Sequence, residues 1–208
     1  MQNLIDSINQ LKSSEISEVI DNRIKEFANI GENSIEDIFI EMCFCIMTAN
    51  CGAEKCIEIH ELIGDDFLNL SENDLVSNFK KYGYRFPNVR ANYVIESRKL
   101  IKELEDTLKD SKNEANLREW IVKNVKGLGY KEASHFLRNV GFQDYAIIDF
   151  HIVDLLVKYH LINKPKTMTK SKYLEIEGIL KELGEKLKLN MAQLDLYLWY
   201  METGKVLK

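Results

Sequence analysis

Apolar side chains return every three or four positions along most of this chain, the interval that gathers them on one face of an α-helix. Leu4, Ile5, Ile8 and Leu11 share one face and Ile16, Val19, Ile20, Ile24 and Phe27 another, so residues 1–30 are expected to be helical. Gly31-Glu32-Asn33 interrupts the pattern, and Ser34, with Asp37 three positions later, has the chemistry of a helix start. Residues 38–47 are apolar almost all round, which predicts a helix buried through the core and ended by Thr48-Ala49-Asn50. Two short helices are expected over 55–63 and 71–81, with a Gly64-Asp65-Asp66 turn between them. Pro87 then opens a long helix to about residue 108, followed by a polar linker, Asp110-Ser111-Lys112-Asn113.

The second half repeats the pattern. Leu117, Trp120, Ile121 and Val125 lead into Gly127-Leu128-Gly129, and Ala133, Phe136, Leu137 and Val140 lead away from it, closed by Gly141. Tyr145-Ala146-Ile147-Ile148 is a short run expected to be buried, and Asp149 caps a helix containing Phe150, His151, Ile152, Val153, Leu155 and Leu156. Lys164-Pro165-Lys166-Thr167 is a loop, 172–187 a helix, and 192–201 a last helix ended by Gly204 in the left-handed conformation. The fold class is therefore all-α.

Composition narrows the class of protein. The apolar runs stop well short of the roughly 20 residues a membrane-spanning helix needs, and the N-terminus has no secretion signal, so a soluble, cytoplasmic protein is expected. Cys43, Cys45, Cys51 and Cys56 lack metal-ligand spacing, with Cys43 and Cys45 in an apolar helical run. His60, His135, His151 and His160 form no ligand pattern either, so no metal is expected. The net charge of −5 argues against nucleic acid until its distribution is considered. Between residues 80 and 138 fourteen Lys/Arg face eight Asp/Glu, while the remainder holds fourteen against twenty-five.

That basic region contains the candidate chemistry. Gly127 and Gly129 allow a short hairpin between two helices, with positive φ or close backbone approach where needed. The first amides of the following helix, with the positive end of its dipole behind them, make a seat for phosphate. Lys131 lies in that first turn, where the dipole and partial burial would lower its pKa and favour the neutral, nucleophilic amine. Upstream, Lys80-Lys81-Tyr82-Gly83-Tyr84-Arg85-Phe86-Pro87-Asn88-Val89-Arg90 interleaves aromatics with cations. Such a loop can push a ring into a base stack and pair its cations with phosphate; alternatively Tyr82 and Phe86 pack beneath it.

Gly127-Leu128-Gly129-Tyr130-Lys131, followed by Ile147-Ile148-Asp149, resembles the helix-hairpin-helix DNA glycosylase superfamily in its bifunctional glycosylase/lyase form. Within it the chain is similar to the archaeal-type (type 2) 8-oxoguanine DNA glycosylase/AP lyase group. Met42-Cys43-Phe44-Cys45-Ile46-Met47-Thr48-Ala49-Asn50, the hairpin through Asn139-Val140-Gly141, and Leu196-Tyr197-Leu198-Trp199-Tyr200 with Gly204-Lys205-Val206-Leu207-Lys208 carry the likeness. The superfamily's Gly/Pro-rich loop before the aspartate is replaced here by the proline-free Gln143-Asp144-Tyr145-Ala146.

The resemblance implies one unit over residues 1–208, with two interleaved helical subdomains flanking a DNA-binding cleft and the hairpin motif at about 117–140. It implies a monomer that removes 8-oxoguanine from double-stranded DNA in the cytoplasm and nucleoid, then cuts the abasic site. Lys131 and Asp149 would be catalytic. Gly127, Gly129, Asn50, Arg85 and Phe86 would bind DNA, with Asn50 filling the hole left by the flipped nucleotide; an ordinary helix-end Asn is the alternative. The terminal Lys208 would enter the base pocket. Asp195 and Trp199, one helical turn apart, either read a purine or are structural. Hairpin carbonyls could hold a monovalent cation, and the missing cysteines after Asp149 exclude the relatives' iron–sulfur cluster. A glycosylase/lyase for another oxidised base, or a non-catalytic helix-hairpin-helix module, are the rival expectations.

Overall fold

The computed structural model describes residues 1–110 and 114–208, and Ser111, Lys112 and Asn113 of the expected linker lie outside the described residues. The described residues form helices joined by turns and short extended segments. In chain order the helices are α1 (Gln2–Lys12), α2 (Ile16–Glu32), α3 (Ile35–Thr48), α4 (Ala53–Ile63), α5 (Glu72–Lys81), α6 (Pro87–Arg98), α7 (Ile101–Lys109), α8 (Glu114–Asn124), α9 (Tyr130–Asn139), α10 (Phe150–Lys158), α11 (Lys170–Leu187) and α12 (Met191–Thr203), with a 3₁₀ turn at Gly64–Leu68. They divide into two compact units, Met1–Asn29 with Leu137–Lys208, and Ile30–Phe136.

The Ile30–Phe136 unit is assembled around α3. Ser34 caps it by accepting from the Asp37 amide at 3.2 Å, and every side chain from Ile38 to Thr48 is buried. A helix buried on all faces needs neighbours on all faces, and α4, the 3₁₀ turn, α6 and α7 supply them. The long helix expected after Pro87 is two helices. Ser97 Oγ donates to the Tyr93 carbonyl at 2.7 Å, and the amides of Lys99 and Leu100 bond three residues back rather than four. Serine back-bonding loosens a helix, and Arg98 exploits the break by donating to the carbonyls of Phe67 and Leu70 at 2.7 and 2.6 Å.

In the other unit α12 packs on α10, α11 and α1. The helical stretch expected over 1–30, with its two apolar faces, is two helices broken where the Ser13 and Ser14 hydroxyls donate to the Asn9 and Leu11 carbonyls. Gly204 adopts φ +70 and ends α12 as expected. A buried ion pair crosses this unit: Arg138 Nη1 donates to Asp195 Oδ2, with side chains 5% and 9% exposed. The guanidinium also lies 4.7 Å from the Phe27 ring centroid and donates to Asn139 Oδ1.

Removing one member of a buried pair strands the other charge. Arg138→Ala is expected to cost about 3–5 kcal/mol in urea denaturation, whereas replacing Arg138 and Asp195 together by apolar residues should recover most of that loss.

Candidate active site and nucleic-acid interface

In the Ile30–Phe136 unit the hairpin forms as the glycines require. Gly127 has φ +89, and a β-carbon there would meet Cδ2 of Tyr93 at 2.5 Å. Only glycine combines that backbone with that approach. Gly129 has ordinary φ, but its carbonyl accepts from the Ala133 amide at 2.9 Å to start α9, and a β-carbon there would stand 3.3 Å from Glu132 Oε2. Leu117, Ile121, Val125, Leu128, Ala133, Phe136 and Leu137 are buried, and Trp120 is only half-buried. Arg118 fastens α8 to α9: it donates to Ser134 Oγ at 3.2 Å and lies over the Tyr130 ring, whose hydroxyl bonds Glu119.

Lys131 follows at the first turn of α9, its side chain 26% exposed and Nζ 3.8 Å from Glu132 Oε1. Glu132, the next residue, brings a carboxylate beside the amine that helix position alone does not reveal. Behind this turn lies a polar knot. Burial pushes the Cys56 thiol and the Tyr84 phenol well up, against the opposing pull of nearby cations, Lys131 and Arg90 on Cys56 and Arg90 on Tyr84. Both groups donate to the Met47 carbonyl, at 3.4 and 2.7 Å.

Asn50, Arg85 and Phe86 come together in this same unit. Asn50 takes φ +60, a left-handed turn that asparagine tolerates better than most residues. Arg85 donates to the Asn50 carbonyl at 3.4 Å and its guanidinium lies 5.0 Å from the Phe86 ring centroid. Phe86 is half-buried, and it is Tyr84 that packs beneath the loop. Arg90, absent from the sequence-derived set, is buried between these groups and donates to the Ala49 carbonyl at 3.0 Å. Its spacing of four from Phe86 was the available signal.

The remaining candidates belong to the other unit. Asp149 caps α10, with Oδ1 accepting from the Ile152 amide at 2.9 Å. The buried segment Tyr145-Ala146-Ile147-Ile148 that delivers it is pinned by α11: Tyr173 Oη accepts from the Ile148 amide and donates to the Ala146 carbonyl, at 3.2 and 2.7 Å, while Glu177 accepts from the Ala146 amide. Neither Tyr173 nor Glu177 was recognisable from the sequence, because their roles depend on tertiary hydrogen bonds.

Trp199 packs edge-on against His151, centroids 5.0 Å apart, and its buried Nε1 has no hydrogen-bond partner. Phe150, beside Asp149, is 68% exposed. The purine-reading role offered for Asp195 is corrected: its carboxylate is buried in the Arg138 pair and is not a free acceptor. Val206, Leu207 and Lys208 are half-buried.

A family model described as 8-oxoguanine DNA glycosylase matches residues 20–189. The chain belongs to the 8-oxoguanine DNA glycosylase family. It is 48% identical over 209 residues to the 8-oxoguanine DNA glycosylase/AP lyase of Korarchaeum cryptofilum, covering 100% of this chain and 99% of that one. A crystal structure of the Methanocaldococcus jannaschii 8-oxoguanine glycosylase/lyase in complex with a 15mer DNA containing 8-oxoguanine is similar at a TM-score of 0.95 and 48% identity, over 99% of both chains. The 8-oxoguanine DNA glycosylase of Thermotoga maritima is similar at a TM-score of 0.93 and 38% identity, over 100% of this chain and 99% of that one. The all-helical class expected from periodicity is thus the fold of this glycosylase family.

In a glycosylase of this construction Gly127→Ala combines backbone strain with a collision. It is expected to cost about 1–3 kcal/mol in chemical denaturation. Adding Tyr93→Ala should return only the part due to the collision, since φ stays positive.

Proposed function

We propose that this chain is a base-excision repair enzyme that releases 8-oxoguanine from double-stranded DNA and then cleaves the abasic site by β-elimination. The supporting observation is the partly buried Lys131 amine at the first turn of α9, directly after the phosphate-binding hairpin, in a chain of this family. A target atom inside the stack is unreachable, so the nucleotide is first turned out of the duplex. The hairpin backbone at Gly127 and Gly129 and the first amides of α9 hold a DNA phosphate. Asn50 and the Arg85–Phe86 loop occupy the opened duplex.

Lys131 Nζ, as the free amine, attacks C1′ of the sugar as the bond to the base breaks, and the electron pair leaves with the base. Loss of a proton from nitrogen and opening of the sugar ring give a Schiff base. A proton removed from C2′ then expels the 3′ phosphate. Asp149 stabilises positive charge developing on the sugar and moves protons. Its Oδ1 is held by the cap, which leaves Oδ2 for this work.

Trp199, half-buried, supplies an indole face for base recognition, and the segment ending at Lys208 joins it. This chemistry uses no metal or iron–sulfur cluster; a monovalent cation on the hairpin carbonyls would serve phosphate binding only. In this reading the protein works as a monomer on chromosomal DNA in the cytoplasm; separately, no described helix is long and apolar enough to cross a membrane.

Single-turnover assays on a duplex with one 8-oxoguanine test this reading by scoring base release and strand nicking separately. Lys131→Gln should abolish both while DNA affinity stays near wild type. Asp149→Asn should slow base release by about 10²–10⁴-fold. Base release by Lys131→Gln at the wild-type rate would overturn the assignment, and nicking only of a duplex carrying another oxidised base would shift the substrate.

A further inference from the structure

Two loops assigned above to the opened duplex, the turn at Asn50 and the segment at Arg85 and Phe86, come from chain positions more than thirty residues apart. One buried side chain touches both. Arg90 Nη2 donates to the carbonyl of Ala49, the residue before Asn50. Its guanidinium carbon lies 5.8 Å from the Phe86 centroid, on a ring that also carries Arg85. Its positive charge also opposes the burial-driven rise of the phenol of Tyr84, the residue before Arg85.

The same guanidinium lies 5.4 Å from the Tyr93 ring centroid. Tyr93 is the ring that fills the space where a Gly127 β-carbon would stand. Arg90 therefore adjoins the left-handed turn at Asn50, the aromatic loop and, through one ring, the phosphate-binding hairpin. Its burial excludes a direct phosphate contact as the main role, because only 8% of the residue is exposed. Its Nε, buried and without a partner, is a donor the surrounding loops leave unused.

We propose that Arg90 is a positioning residue for nucleotide extrusion: it locks the Asn50 turn and the Arg85–Phe86 loop in register with the hairpin, so that the duplex is opened where Lys131 can act. The proposal rests on the function stated above. A planar guanidinium suits the task because one group donates a directed hydrogen bond while its delocalised charge lies within reach of two rings, a combination a compact ammonium provides less well. Loop register matters because small misplacements at a distance from the chemistry reduce rate steeply.

The test separates opening from chemistry by changing the substrate. Single-turnover base release is measured for wild type, Arg90→Lys and Tyr93→Leu on 8-oxoguanine in a fully paired duplex and in an unpaired bubble of the same sequence. Both variants should lose about tenfold or more on paired duplex relative to their own loss on the bubble, where no pair needs opening. Arg90→Lys retains charge, so an electrostatic role alone would leave its duplex rate close to wild type. Equal losses on the two substrates, or no loss on either, would overturn the proposal. Tyr93→Leu keeps it testable should Arg90→Lys fold poorly. If wild type releases the base from neither substrate, the proposed function fails instead, and the two failures are distinct.

Discussion

At Gly127 the backbone runs against an aromatic ring with no room for a β-carbon, and the arrangement of the Ile30–Phe136 unit around the hairpin depends on that contact. Tyr93 occupies the space where one would stand, and φ +89 turns the chain from α8 into α9 within a few residues. The turn leads directly into α9 and determines where Lys131 stands in its first turn. Because Tyr93 also carries Arg90, the constraint extends from the hairpin to the Asn50 turn and to the Phe86 loop. The proposed nucleophile, phosphate seat and two duplex-contacting loops are thereby set by packing rather than by flexible side chains, which is how a site avoids losing rate to disorder.

Asp149 is positioned by a different device of the same kind. An N-cap aspartate supports its helix by about 1 kcal/mol, but the cap alone would not fix the approach of the chain. Tyr173 and Glu177 hold the preceding extended segment through its backbone, so the carboxylate arrives with one oxygen committed and one spare. Partly buried Lys131 and capped Asp149 thus come from elements with little local freedom, although a surface lysine and a cap aspartate are each unremarkable in isolation.

The sequence was most informative where local physics decides. Periodicity located the buried α3 and the helices on either side of the hairpin, Ser34 and Asp149 announced their caps, and Gly204 its helix end. It was least informative where a side chain acts across the fold. The breaks at Ser13 and Ser97 depend on hydroxyls turning back on the helix, an option periodicity does not register. Asp195 looked available on a helical face, yet its partner Arg138 lies 57 residues away in sequence. Arg90 resembled one more cation in a basic loop until its burial and its two rings were visible.

The central claim is that the Lys131 amine forms the covalent link to DNA. Borohydride reduction during turnover of an 8-oxoguanine duplex, followed by nuclease trimming, proteolysis and mass spectrometry, identifies the modified residue directly. A reduced sugar remnant on Lys131 within the tryptic peptide of residues 127–138, with cleavage after Lys131 blocked, is the predicted result. A remnant on the N-terminal amine or on any other lysine would contradict the account.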